Sequence, residues 1–110
     1  MKITYSEKVK QAGADYALLQ RATDYLNQFV GPSAGLESAV WDRVDDERGG
    51  TRYTLKLTGF SKEVSDTYYP DELATESHMR FRLLHHWGNL LQAYSDVRMK
   101  KLQEYMLQEN

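Results

Sequence analysis

The chain has 110 residues, of which 41% are hydrophobic and 27% charged, and its formal net charge is −2. This length predicts one domain spanning residues 1–110 with a single core, and the composition is that of a globular chain, not a disordered one. The absence of cysteine excludes disulfide frameworks, thiolate nucleophiles and cysteine-ligated zinc, and the small net charge provides no global attraction to nucleic acid or acidic membranes.

The first third of the chain predicts one helix that begins near residue 5. Thr4 and Glu7 fit a capping box at its start, and Gly31-Pro32 is a strong stop because proline cannot continue the helical hydrogen bonds. Between these signals, apolar positions recur at alternating spacings of three and four residues. This heptad-like seam consists of Val9, Ala12, Tyr16, Leu19, Thr23, Leu26 and Val30.

The middle third predicts three strands, at residues 36–44, 51–58 and 60–68, separated by polar or glycine-containing turns. If Val44 pairs with Thr51 in the first hairpin, Trp41 points to the polar side of the sheet. A register shifted by one residue buries Trp41 and exposes the valines instead. The sequence leaves both registers open; we favour the first, in which an exposed Trp41 is a candidate contact for self-association.

The last third is the longest patterned segment, running from Leu73 to about Gln108, with Thr75 as a possible second start. Many of its apolar residues fall within one broad arc of a helix. These residues are Leu83, Leu84, Trp87, Leu90, Leu91, Tyr94 and Val97, continued by Leu102 and Tyr105. The arc predicts a helix that faces the core.

The predicted length of this helix exceeds the size of one small domain. A helix of 36 residues spans roughly 54 Å at 1.5 Å per residue, whereas a domain of this size has a radius of gyration near 13 Å. Either the helix breaks, at Gly88 or within residues 94–96, or its end projects and buries Leu102, Tyr105 and Met106 on another surface. A second copy of the chain is the simplest such surface.

The sequence therefore predicts the α+β class, in the order helix, three-stranded antiparallel meander and long helix (α-β-β-β-α). Both helices are expected to pack on one face of the sheet. No motif identifies a protein family. The order of elements alone resembles that of small dimeric bacterial proteins such as nucleoid-associated tweezers and secretion chaperones, and this resemblance implies a dimer.

We predict neither a metal nor a cofactor. His78 and His85 lie two helical turns apart, whereas chelation along one helix requires spacings of three or four residues. The acidic residues of segment 42–47 lack the alternating oxygen ligands and central glycine of a calcium loop. Gly49-Gly50 lacks both the phosphate-loop and the dinucleotide-binding patterns.

The first functional hypothesis is a non-enzymatic homodimer that binds another protein. The candidate self-association residues are Trp41, Arg98, Leu102, Tyr105 and Met106. Because the N-terminal residues lack the apolar core of a signal peptide and no apolar run reaches membrane-spanning length, we expect a cytoplasmic protein without a membrane partner.

Two alternatives remain open. The first is a nucleic-acid-associated dimer that uses a polar, partly basic stripe on the C-terminal helix. Its candidate residues are His78, Arg82, His85, Asn89 and Lys100. The second alternative is a small enzyme in which His85 or His86 acts together with Asp66 or Asp71.

Overall fold

The computed structural model describes residues 1–30 and 35–108, without the side chains of Phe29, Tyr105, Leu107 and Gln108. Its fold is of the predicted α+β class. The elements, in chain order, are β1 (Lys2–Tyr5), α1 (Glu7–Lys10), α2 (Ala14–Val30), β2 (Leu36–Asp45), β3 (Thr51–Gly59), β4 (Lys62–Tyr68), α3 (Pro70–Ala74) and α4 (Glu76–Gln108).

The N-terminus corrects the predicted single helix. Thr4 lies in β1, which pairs in parallel with β2, so the capping-box interpretation is wrong. The cap of α1 is Ser6 instead, whose hydroxyl accepts a hydrogen bond from the Val9 amide at 3.3 Å. Gly13, with φ of +63°, separates α1 from α2. The sheet therefore has four strands in the order β1-β2-β3-β4, of which β2, β3 and β4 form the predicted antiparallel meander.

The β2–β3 hairpin adopts the register that we had not favoured. Val44 pairs with Arg52, which places Trp41 opposite Leu55 on the core face. Trp41 is completely buried, and its Nε1 donates a hydrogen bond to Thr23 Oγ1 at 2.8 Å. Burying the large indole with its N–H satisfied outweighs burying the two smaller valines. The premise of an exposed Trp41 is therefore wrong.

The helices cover only one face of the sheet, as predicted. The seam of α2 points inward, with Leu19 and Leu26 completely buried against the sheet. On β3, alternate residues from Tyr53 to Gly59 are buried, and those between them are partly or fully exposed. The uncovered face is largely polar, as is usual for a one-sided antiparallel sheet. Since the α2 seam is used within the chain, it provides no surface for a second copy.

Helix α4 is continuous over 33 residues and breaks neither at Gly88 nor within residues 94–96. Thr75 separates it from α3, which agrees with the second start considered for this segment. At 1.5 Å per residue the helix is about 50 Å long, and the molecule measures 59 × 32 × 24 Å. The radius of gyration is 16.5 Å, against roughly 13 Å for a compact domain, because the end of α4 projects from the body.

Candidate self-association surface

The turn between β3 and β4 anchors the middle of α4. Phe60 and Ser61 both have positive φ values, 54° and 61°, in a two-residue turn that usually selects asparagine or glycine. The Phe60 ring stacks on Tyr94 of α4 with ring centres 4.3 Å apart, and it lies 6.3 Å from the Trp87 ring. On its other side, Phe60 packs where a Cβ on Gly35 would overlap its ring. This packing offsets the unfavourable turn conformation and ties α4 to the sheet as far as Tyr94.

A buried polar cluster joins the first half of α4 to β4. His86 is completely buried, with Nδ1 2.8 Å from the Tyr68 hydroxyl and Nε2 2.8 Å from the Val64 carbonyl oxygen. A carbonyl only accepts, so Nε2 donates and Nδ1 accepts from Tyr68, which defines a neutral imidazole. Burial lowers the pKa of His86 and raises that of Tyr68, and both shifts favour the neutral forms.

Arg82, a candidate for the basic stripe, belongs to an acidic network. Its Nη1 lies 3.3 Å from Asp66 Oδ2, and its Nη2 donates to the Thr67 carbonyl. Nε lies 3.1 Å from Glu72 Oε2 without hydrogen-bond geometry, so that contact is purely ionic. The guanidinium also stacks 4.8 Å above the Tyr68 ring. Two carboxylates thus surround the charge of Arg82.

The rest of that candidate face, His78, His85, Asn89 and Lys100, is exposed along α4. The two carboxylates offset the charge of Arg82. With histidine counted as neutral, Lys100 then carries the one unpaired positive charge among these five candidate residues. A face with one free cation gives little of the phosphate attraction on which nucleic-acid binding depends.

The two histidines of the enzyme hypothesis lie in different environments. His85 is exposed, and its ring stacks beside that of Phe81 with ring centres 6.4 Å apart. His86 is buried, and both of its ring nitrogens are hydrogen-bonded.

A second apolar side runs along the outside of α4. Its large side chains are exposed, and its remaining positions are occupied by Gly88 and Ser95. At 3.6 residues per turn, all of these positions fall within an arc of about 80°, and each is at least about 80° from core-facing Leu83 and Leu90. We call this set the outer stripe; it consists of Phe81, Leu84, Gly88, Leu91, Ser95, Met99, Leu102 and Met106.

The outer stripe is unusually exposed for large apolar residues. Phe81 is 68% exposed, Leu102 52% and Met106 59%. An open depression of about 550 Å³ lies beside the stripe, and its lining includes Ser95 and Met99. From residue 81 to residue 106 the stripe extends roughly 38 Å along the helix. Extended apolar surface exposed to water is typical of interaction sites.

Several candidates named from the sequence lie on or beside this stripe. Leu102 and Met106 belong to it, and the guanidinium of Arg98 lies 5.7 Å from the Tyr94 ring at its margin. The Tyr105 side chain lies outside the described residues. Trp41 is remote from the stripe, in the core.

Sequence reasoning missed four of the six large apolar side chains of the outer stripe. It assigned Leu84 and Leu91 to the core arc and gave no role to Phe81 or Met99, although Leu84 is 49% and Leu91 39% exposed. The available signal was the width of the arc, which is too broad for one contact surface and divides into two stripes. The side facing the sheet depends on tertiary contacts that the sequence does not display.

Other kinds of site receive no support from the described part of the chain. Among its residues, histidine and carboxylate side chains form no group of three or more that could hold a metal ion. Within residues 1–30 and 35–108, no helix is long and apolar enough to cross a membrane. Comparison with protein-family models, curated proteins and solved structures finds no match for the chain.

Proposed function

We propose that this protein is a cytoplasmic, non-enzymatic homodimer that serves as a protein-interaction module, and that it self-associates through the outer stripe of α4. The proposal rests on the exposure of six large apolar side chains on one face of a helix that extends beyond the body of its own domain. Water-exposed apolar surface of this extent is costly, and a second stripe of the same kind is its natural cover.

The projecting end of α4 supplies a second argument. Isolated helices of about 12–15 residues are marginal in water, and most helices in proteins are stabilised by packing of an apolar face. Residues 95–108 form such a short segment beyond the Phe60–Tyr94 contact. Their exposed Met99, Leu102 and Met106 supply the face that packing requires. A partner helix would therefore stabilise this segment as well as cover it.

The expected gain suits a reversible dimer. Full burial of a large apolar side chain contributes roughly 1.5–3 kcal/mol, so covering one that is already about half buried contributes roughly 1 kcal/mol. Six such side chains from each copy contribute roughly 12 kcal/mol in total, against an association cost of at least about 4 kcal/mol. The net free energy is therefore at most about 8 kcal/mol, so the tightest dimer expected has a dissociation constant in the micromolar range and dissociates on dilution.

A charge placed in the stripe tests this proposal. Leu102→Asp should weaken dimerisation at least tenfold, because a carboxylate would be buried among apolar side chains. Asn89→Asp adds the same charge to the exposed polar side of α4 and is the matched control. Sedimentation equilibrium measures both, and circular dichroism checks that the helices are retained. Equal association of the two variants and the unmodified chain would contradict the proposal.

A further inference from the structure

We infer that the partner of the outer stripe is a second copy of this chain docked antiparallel, α4 against α4, about a two-fold axis near residue 93. This inference rests on the proposed function and specifies its partner, orientation and register. It follows from the order of large and small residues along the stripe, together with the space around its glycine.

The positions of the outer stripe are nearly symmetric about its centre. In an antiparallel pair related by a two-fold axis, positions equidistant from the axis meet each other. To within half a residue, four pairs of stripe positions are equidistant from residue 93. They are Phe81 with Met106, Leu84 with Leu102, Gly88 with Met99, and Leu91 with Ser95.

This symmetry places a large side chain opposite each small one. A Cβ built on Gly88 has no neighbouring atom within 4 Å, so an open notch lies on this face of the helix. In the antiparallel register, Met99 of the partner subunit fills that notch, and methionine adapts well to irregular space. Ser95, beside the depression described above, receives Leu91 of the partner subunit in the same way.

A parallel pair lacks this complementarity. It would stack Gly88 on its own copy and Ser95 on its own copy, which leaves two central layers without filling side chains. It would also bring the two Arg98 side chains to the same height along the pair. The antiparallel register instead places Arg98 near Trp87 of the partner subunit, where a guanidinium and an aromatic ring attract each other.

Cysteine cross-linking tests the register directly, because the chain contains no cysteine of its own. Leu84→Cys and Leu102→Cys are introduced separately at exposed positions, and the two proteins are mixed and oxidised. Positions 84 and 102 are roughly 27 Å apart along one helix, whereas a disulfide requires Cα atoms within about 7 Å. We therefore expect mixed disulfides between the two variants at least tenfold faster than homodisulfides within either one.

The control pairs Leu84→Cys with Lys100→Cys, which lies at a similar height but on the polar side of α4; it should cross-link at the slow background rate. Homodisulfides of each single variant, without the mixed product, would establish a parallel pair and overturn the inference while leaving the proposed function intact. A dimeric chain in which no variant cross-links would also overturn it, because the dimer would use another surface. A chain that is monomeric by mass would remove the proposed function itself.

Discussion

The two halves of α4 carry similar apolar spacings but differ in what lies opposite them. Residues 76–94 pack on β4, α2 and the β3–β4 turn, and they contribute completely buried Leu83 and Leu90 to the core. Residues 95–108 lie beyond the Phe60–Tyr94 ring contact, and their Met99 and Leu102 are more than half exposed. One helix therefore contributes to the core at its start and exposes large apolar side chains to solvent at its end.

The difference shows that helical periodicity reports how apolar a face is, but not which molecule covers it. Along residues 76–94 the helix has two apolar sides, one covered by the sheet and one open to solvent. The open side carries exposed large apolar side chains as far as residue 106, with Gly88 and Ser95 between them. Substitutions at buried positions of α4 should therefore lower the stability of the monomer, whereas substitutions in the outer stripe should not.

The largest expected contrast compares one substitution at two leucines of α4. Leu90→Ala should lower the free energy of unfolding by about 2–5 kcal/mol, because it removes buried methyl groups and leaves a cavity. Leu102→Ala should change it by no more than about 0.5 kcal/mol in the monomer. Urea denaturation at concentrations low enough to keep the protein monomeric measures both. Equal losses would show that residue 102 packs on its own chain.

A second contrast compares two glycines. Gly35→Ala should destabilise the fold by more than about 1–2 kcal/mol, because Gly35 has φ of +82° and a Cβ there overlaps the Phe60 ring. Gly88→Ala should stabilise the monomer by roughly 1 kcal/mol, since alanine is the better helix former and the site is open. Thermal unfolding of dilute protein measures both shifts. A stabilising Gly35→Ala would contradict the anchoring role of the Phe60 turn.

A third prediction concerns the pH dependence of stability, which should arise from His86 in residues 76–94 of α4. The folded state keeps His86 neutral with a lowered pKa, whereas the unfolded chain protonates histidine near pH 6.5. The unfolded state therefore binds the extra proton as the pH falls below about 6.5. The contribution of neutral His86 to the free energy of unfolding is therefore fully present above that pH. It should decline at lower pH, by up to roughly 1.4 kcal/mol per pH unit.

Two variants isolate this pH effect. His86→Gln, which cannot be protonated, should unfold more easily at pH 7.5 but lose little further stability between pH 6.5 and pH 5.5. His85→Gln changes the exposed neighbour and should keep the decline of the unmodified chain. Urea denaturation across this range provides the measurement. An unchanged decline in His86→Gln would assign the pH dependence to another group.

The sequence predicted several local features that depend on neighbouring residues. The polar turn after β2 and the length of the last helix follow from glycine and apolar spacing. Gly31-Pro32, the predicted stop of the first helix, lies outside the described residues. The structure also confirms the predicted α+β class and the packing of the helices on one sheet face. These features require no knowledge of distant contacts.

Long-range pairing could not be predicted in the same way. The parallel contact of β1 with β2 joins segments about 36 residues apart, and four residues at the chain start carry little strand signal of their own. The hairpin register depended on whether Trp41 would find a partner for its N–H, which Thr23 provides from α2. Arg82 likewise looked basic in sequence because Asp66 and Glu72 approach it only in the fold.

The most direct test of self-association is the mass of the unmodified chain in solution, measured by light scattering during size exclusion from micromolar concentrations upward. We predict that the mass rises with concentration towards twice the chain mass of 12.8 kDa. A constant mass of 12.8 kDa at every concentration would contradict self-association through the outer stripe and leave its exposed side chains without their proposed partner.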